Sequence, residues 1–171
     1  MILSHASADP AVRESSAKSV LVLGIGNVLL GDEGAGVHAM RHLERDSRGS
    51  DVRFVDGGTL SFTLAGLIES SPALIVFDAA EMQAPPGSVA LFEGAHMDEF
   101  LGGERKRSVH EVGLLDLMAL AALGGRLPEK RALIGIQPQS IDWSESPSHE
   151  VARAIPEACA RARQLIERWQ S

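Results

Sequence analysis

Residues 20–36 read VLVLGIGNVLLGDEGAG, and this stretch decides the fold. Its first four residues are apolar and predict a buried strand, which Gly24 and Gly26 break into a turn. In an open α/β sheet, ligands bind at such a turn, beyond the carboxyl end of the strand. Two adjacent carboxylates, Asp32 and Glu33, follow the turn and precede a helical pattern. Because a phosphate site requires bare backbone N–H groups without nearby negative charge, these acids indicate a cation instead.

The composition is that of a single globular domain. The chain has 171 residues, of which 44% are hydrophobic and 23% charged, and this supports one full core but not two. The net charge of −7 argues against nucleic acid as a partner, because a phosphate backbone requires a basic face. No apolar run approaches the roughly 20 residues needed to cross a bilayer, so we expect no membrane insertion. Residues 1–18 lack the apolar core of a secretory signal, and we expect a disordered or loosely attached extension before one domain at residues 19–171.

The chain contains a single cysteine, Cys159, which excludes an internal disulfide and a cysteine-built zinc site. This fits a reducing compartment, and we expect a cytoplasmic monomer. Cys159 lies on or near the apolar face of the predicted last helix, where a buried thiol is inert. Serine chemistry is not indicated either, because the sequence has no G-x-S-x-G segment.

Strand-like and helical patterns alternate along the chain. The fourth strand follows the third after a short connection, whereas a parallel crossover needs about a dozen residues or more, so we expect it to be antiparallel. The order β-α-β-α-β-β-α-β-α predicts a three-layer α/β/α sandwich around a mostly parallel five-stranded sheet. The strands are predicted at residues 20–23, 52–55, 73–77, 88–92 and 132–136.

Helix boundaries are predicted at three positions. Thr59 is expected to cap the second helix, which has apolar residues at helical spacing from Leu60 to Ile68. The last helix is expected to begin near Ser148. Pro156 is expected to kink this helix or divide it in two, because proline lacks the N–H that a helix interior uses.

Three acids, Glu33, Asp56 and Asp78, lie just beyond the first three predicted strands. In a sheet with strand order 2-1-3, the ends of strands one and three flank the topological switch point, so we expect Glu33 and Asp78 at one crevice. His110 opens a helix after the basic loop at residues 102–107, which we expect to border that crevice. Two carboxylates and one imidazole suit a divalent metal with open coordination positions. Singly, each residue fits a structural role equally well, as a helix cap or a surface side chain.

Two other motifs are incomplete. His38 and His42 have the spacing of two zinc ligands on a helix, but Ala39 replaces the glutamate of a metalloprotease helix, so solvent-facing histidines are expected. The turn at residues 24–29 resembles a dinucleotide-binding loop, but Leu29 occupies the third glycine position. A Rossmann-like nucleotide-binding protein stays open as an alternative.

Five segments together resemble the hydrogenase maturation peptidases, the endopeptidases that process the large subunit of nickel–iron hydrogenases. The resemblance runs from residue 20 to about residue 169 and is closest to members that serve membrane-bound uptake hydrogenases. The segments, in chain order, are GIGNVLLGDEGAGV at 24–37, VDGGT at 55–59, VFDA at 76–79, SVHEVGL at 108–114 and IGIQP at 134–138.

The resemblance implies an endopeptidase, aspartic-type in some classifications, that removes the C-terminal extension of the large-subunit precursor after nickel insertion. Glu33, Asp78 and His110 match the three metal-binding residues of the family. Nickel would be supplied by the precursor, and other divalent metals could occupy the site. Asp56 matches an aspartate linked to function or substrate discrimination, which makes Asp56 and Asp78 the candidate catalytic residues. Glu111 departs from the glutamine of many relatives.

The implied mechanism leaves the hydrolytic group open. A metal can polarise a carbonyl or lower the pKa of bound water, and Asp56 could instead act as a general base. A nickel-sensing chaperone that holds the precursor without cutting it would use the same three ligands and is a second alternative.

Overall fold

A computed structural model describes residues 20–47, 51–103 and 109–171, with residues 109–112 described by their backbone alone. The extension expected at residues 1–18 lies outside these ranges. The described part of the chain contains one sheet of five strands, as predicted. They are β1 (Val20–Ile25), β2 (Val52–Gly58), β3 (Ala73–Ala79), β4 (Val89–Glu93) and β5 (Lys130–Ile136).

The strand order is β2-β1-β3-β5-β4, which confirms a mostly parallel sheet with one antiparallel strand. Strands β1, β2, β3 and β5 run parallel, and β4 pairs antiparallel with β5. Strand β1 therefore lies between β2 and β3. The chain adds β2 on one side of β1 and then crosses to the other side to add β3. This is the topological switch point that the sequence predicted.

Helices cover both faces of the sheet and complete the predicted three layers. Helices α1 (Ala35–Asp46) and α5 (His149–Gln170) cover one face, where the side chains of Ile75 and Phe77 are buried. Helices α2 (Ala65–Glu69), α3 (Ala95–Gly102) and α4 (Val109–Leu123) cover the other face, over Leu74 and Val76. Successive residues of β3 thus alternate between the two cores, as the pleat of a strand requires.

Local predictions differ from the structure at three helices. Helix α3 was not predicted, because its short sequence buries only Met97 and Leu101 fully. Helix α2 begins at Ala65 after a 3-10 turn, so Thr59 is not its cap. Helix α5 continues through Pro156 without division, and Ser148 caps it by accepting the N–H of Val151 at 3.4 Å.

Within the described residues, none of the helices combines the length and the apolar character that a bilayer crossing requires.

Candidate active site

The parallel strands end at one edge of the sheet, and each of the three predicted carboxylates lies on an element that reaches this edge. Glu33 lies in a 3-10 turn (Gly31–Gly34) between β1 and α1. Strands β2 and β3 extend further than predicted, to Gly58 and Ala79. Asp56 and Asp78 therefore lie within the final residues of these strands and not in the loops that follow. A side chain on a strand is held more rigidly than one on a loop, which suits a binding group.

Two glycines allow the turn with Glu33 to lie against the strand ends. Gly26 has a φ of +131°, and a Cβ added to it would stand 1.8 Å from the carbonyl oxygen of Glu33. A Cβ on Gly36 would stand 2.2 Å from the carbonyl oxygen of Phe77 and 2.4 Å from that of Ile25. Any larger residue would push the turn away from β1 and β3. The glycines therefore let the turn that contains Glu33 pack against the end of β3, near Asp78.

Asp78 is fully buried at the end of the central strand, with 0% of its surface exposed. By alternation along β3 it faces the same side as Leu74 and Val76, which is the side covered by α4. Its register partner on β5 is Gly135, where a Cβ would meet the side chains of Ala80 at 2.9 Å and Met82 at 3.3 Å, so the neighbouring space is closely packed. Asp78 thus presents a dehydrated carboxylate toward the helix layer that contains His110.

Asp56 lies apart from Asp78. It pairs with Gly24 across β1, so β1 separates it from β3, and two strand spacings amount to about 10 Å. Its Oδ2 accepts a hydrogen bond from Nη2 of Arg41 on α1 at 2.9 Å, and its Oδ1 accepts the N–H of Gly58 at 2.9 Å. Asp56 therefore faces the α1 side of the sheet, with both oxygens already hydrogen-bonded.

His110 belongs to the first turn of α4, and its side chain is outside the described part of the structure. The basic loop that was expected to border the crevice is also outside it at residues 104–108. Among the side chains that are described, no group of three His, Cys, Asp or Glu residues is arranged for a metal. Of the predicted set, the structure describes the side chains of Glu33 and Asp78, which lie on neighbouring elements at this edge of the sheet. Their carboxylate oxygens suit a divalent ion.

Asp32, the acid next to Glu33, has a structural role that the sequence did not reveal. It is 1% exposed and accepts hydrogen bonds from the N–H groups of Gln139 at 2.8 Å, Ser140 at 3.1 Å and Ser148 at 2.6 Å. The hydroxyl of Ser148 donates a fourth at 2.8 Å. We call this set the Asp32 clasp. It ties the turn that contains Glu33 to the segment after β5 and to the start of α5.

The electrostatics of Asp32 follow from these contacts. Burial alone raises the pKa of a carboxyl group, because it disfavours the charged form. The backbone N–H groups of Ser148, Gln139 and Ser140 and the Ser148 hydroxyl stabilise the carboxylate, and together they hold the pKa of Asp32 below its ordinary value. Asp32 is therefore an internal anion with its own donors, not a candidate metal ligand.

Gln137, the residue that follows β5, plays a comparable structural part. It is 4% exposed, and its Oε1 accepts the N–H groups of Met82 at 2.8 Å and Ala84 at 3.3 Å. Its Nε2 donates to Glu81 at 3.0 Å. Gln137 thereby fixes the loop that follows β3. The IGIQP segment, which contains Gln137, resembles the family, but the sequence did not indicate the hydrogen-bond partners of this side chain.

The remaining candidates are not part of this crevice. His38 is half-buried on α1 rather than solvent-facing, and burial together with the charge of Arg41 lowers its pKa. His42 is also half-exposed, with Nε2 at 3.8 Å from Asp46. Cys159 is buried as predicted, and burial raises the pKa of its thiol to about 11, which makes it unreactive at neutral pH.

Comparisons with known proteins agree with this fold. The model of the hydrogenase maturation protease family matches residues 37–165. The hydrogenase expression/formation protein HoxM of Cupriavidus necator is 35% identical over 152 residues, which cover 88% of this chain and 75% of that protein. HupD of Rhodobacter capsulatus is 39% identical over 152 residues, covering 88% and 72%.

A solved structure of a maturation endopeptidase has a similar fold. The hydrogenase maturating endopeptidase HybD from E. coli superposes with a TM-score of 0.75 at 30% identity, covering 84% of this chain and 88% of that one. Family model, sequence relatives and fold coincide over most of the described residues. The chain therefore belongs to the hydrogenase maturation protease family and is an endopeptidase, a hydrolase of peptide bonds.

Proposed function

We propose that this protease removes the C-terminal extension of the large-subunit precursor of a nickel–iron hydrogenase after nickel has been inserted. The observation that supports the proposal is the topological switch point between the ends of β1 and β3, where Glu33 and the buried Asp78 lie on neighbouring elements. Nickel belongs to the precursor and is part of the substrate. The cut would then depend on a substrate that already contains its metal.

Glu33, Asp78 and His110 would hold the nickel of the docked precursor. The carboxylate oxygens fit this role, because burial has removed water from Asp78 and a divalent ion would replace that lost solvation. Other divalent metals suit the same oxygen-rich set. When bound, the ion supplies Lewis acidity to the scissile carbonyl or to the attacking water.

The residues of this chain contribute orientation. Asp78 is held on a central strand between β1 and β5, and the backbone of Glu33 is packed against Gly26. Ligands in fixed positions would hold the scissile peptide of the precursor in one orientation at the site. Such positioning lowers the activation barrier of hydrolysis. In the hydrolysis itself, water adds to the peptide carbonyl carbon, the C–N bond breaks, and the departing amine takes a proton.

Asp56 has two possible parts in this reaction, as general base or as a residue that recognises the precursor. Its hydrogen bonds from Arg41 and Gly58 occupy both oxygens, and β1 lies between it and Asp78. This arrangement favours recognition, since a base must have an oxygen available to the attacking water. Asp78 stays the catalytic candidate at the crevice.

The location and assembly of the protein are part of the same proposal. The single buried cysteine supports a cytoplasmic protease, because the described chain draws no stability from disulfides. We propose that it acts as a monomer on the precursor.

The experiment measures the intact mass of the large subunit after incubation of the nickel-loaded precursor with this protein. The wild-type protein should shorten the precursor by its C-terminal extension. Asp78→Asn, which keeps the shape of the side chain and removes its charge, should leave the precursor at full length. Glu44→Gln is the matched control, because Glu44 is exposed on α1 away from the crevice, and it should cut normally. Full activity of Asp78→Asn would contradict the assigned site.

A further inference from the structure

Large apolar side chains are exposed on two neighbouring loops beside the crevice. Leu29 is 47% exposed, Ile141 is 52% exposed and Trp143 is 82% exposed. Main-chain hydrogen bonds join the loops, from Ser144 N–H to the Leu29 carbonyl at 3.0 Å and from Gly31 N–H to the Ser144 carbonyl at 2.8 Å. We call Leu29, Ile141 and Trp143 the apolar edge surface.

This surface is held in place rather than loosely attached. Leu30 pairs with Ser144 as a parallel bridge and directly precedes the 3-10 turn that contains Glu33. The Asp32 clasp binds the segment that contains Ile141 and Trp143 at both of its ends, through Gln139 and Ser148. A tryptophan that is exposed to solvent on an ordered loop indicates an interaction site, since burial of its side chain by a partner is strongly favourable.

The charges around the surface restrict its partner. Asp142 and Glu145 are exposed on either side of Trp143, and the whole chain has a net charge of −7. A second copy would bring like charges together around its own tryptophan, which is unfavourable. It would also cover the turn of Glu33 that the substrate must reach. The complementary partner is apolar at its centre and positively charged at its rim.

We propose that the apolar edge surface docks the hydrogenase large-subunit precursor, on a segment with apolar side chains flanked by lysine or arginine. The inference rests on the proposed function and adds to it the surface that recognises the substrate. The crevice would bind the nickel of the precursor, while Leu29, Ile141 and Trp143 bind its polypeptide beside the cut. Docking through Trp143 contributes to affinity and not to the hydrolytic step.

The test compares Trp143→Ala with Leu123→Ala, measuring both precursor binding and the rate of cutting against precursor concentration. Leu123 is the matched control because it is 87% exposed at the far end of α4, at the opposite edge of the sheet. Trp143→Ala should raise KM and the dissociation constant about tenfold or more with kcat unchanged, as expected for a central interface aromatic. Leu123→Ala should match the wild-type protein.

A charge variant tests the flanks of the surface. The double variant Asp142→Lys and Glu145→Lys should also raise KM, and added salt should narrow its difference from the wild-type protein, because exposed charges are screened. A KM that is insensitive to both charge and salt would contradict a basic rim on the precursor. The melting temperature of each variant verifies folding, since all three side chains are exposed.

The outcomes separate this inference from the proposed function. If the wild-type protein cuts the precursor and Trp143→Ala behaves like Leu123→Ala, the docking surface is wrong while the function stands. If sedimentation shows dimers that only Trp143→Ala dissolves, with KM unchanged, the occupant is a second copy and the inference is overturned. If the wild-type protein binds the precursor without cutting it, the proposed function fails, and the binding data still decide the docking surface.

Discussion

Asp32 and Ser148 are joined by two hydrogen bonds, although they are 116 residues apart in the sequence. The N–H of Ser148 donates to Oδ1 at 2.6 Å and its hydroxyl donates to Oδ2 at 2.8 Å. The same hydroxyl accepts the N–H of Val151 and caps α5. One pair of side chains therefore links the turn of Glu33 to the start of the last helix.

The first prediction concerns the stability that this pair provides. Asp32→Asn keeps the volume of the side chain but replaces one acceptor oxygen by an NH2 group, which leaves N–H groups of Gln139, Ser140 or Ser148 without their carboxylate acceptor. Charge-assisted hydrogen bonds contribute about 1.5–3 kcal/mol each, so the free energy of unfolding should fall by roughly 2–4 kcal/mol in urea denaturation. Glu44→Gln is the surface control and should stay within about 0.5 kcal/mol of the wild-type protein. An equal stability of both variants would show that the clasp contributes nothing.

The Asp32 clasp also explains which part of the site could be predicted from the sequence. Asp32 and Glu33 are neighbours with the same chemistry, and only the fold decides that Asp32 points inward to donors more than 100 residues away. The continuous apolar runs were sufficient to predict the strands and the switch point near Asp78, because strands that are buried on both faces consist of such runs. Helix α3 could not be predicted, since so short an element is stabilised by its tertiary contacts rather than by its own sequence.

The second prediction concerns the pH dependence of stability. The thiol of Cys159 has a pKa of about 11 in the folded protein, against an ordinary value of 9.0. Above about pH 9 the unfolded chain releases this proton while the folded chain keeps it, so stability falls as pH rises toward 11. The loss should approach about 2–3 kcal/mol, at 1.36 kcal/mol for each unit of pKa.

Cys159→Ala is the control for this effect. It should be less stable than the wild-type protein at neutral pH, because it loses buried volume, but its stability should decline less between pH 9 and pH 11. Identical declines for the two proteins would assign the alkaline loss to other groups.

The third prediction separates the two parts proposed for Asp56. If Asp56 recognises the precursor while Arg41 orients it, Asp56→Ala and Arg41→Gln should both raise KM and leave kcat unchanged. Loss of this exposed ion pair should cost at most about 1 kcal/mol of stability. The measurement is the rate of precursor shortening over a range of precursor concentrations. A fall in kcat of about 10²–10⁴-fold for Asp56→Ala would instead identify a general base.

The fourth prediction concerns the close contact between α1 and the strand ends. In Gly36→Ala the new Cβ would meet the carbonyl oxygens of Phe77 and Ile25, at 2.2 and 2.4 Å, so α1 must shift away from β1 and β3. We expect a loss of stability of about 1–3 kcal/mol, as for other overpacked cores, together with slower cutting because the turn of Glu33 moves with the helix. Gly66→Ala is the matched control, since a Cβ there meets nothing within 4 Å, and it should match the wild-type protein or exceed its stability.

In the proposed reaction, nickel in the precursor permits the cut by binding to Glu33, Asp78 and His110. The most direct test compares the wild-type protein with a double variant that combines Asp78→Ala and His110→Ala. Each protein is incubated with the precursor, once with nickel and once without it, and the mass of the large subunit is measured. We predict that only the wild-type protein with the nickel-loaded precursor yields the shortened subunit. Equal shortening of the nickel-free precursor, or full activity of the double variant, would contradict it.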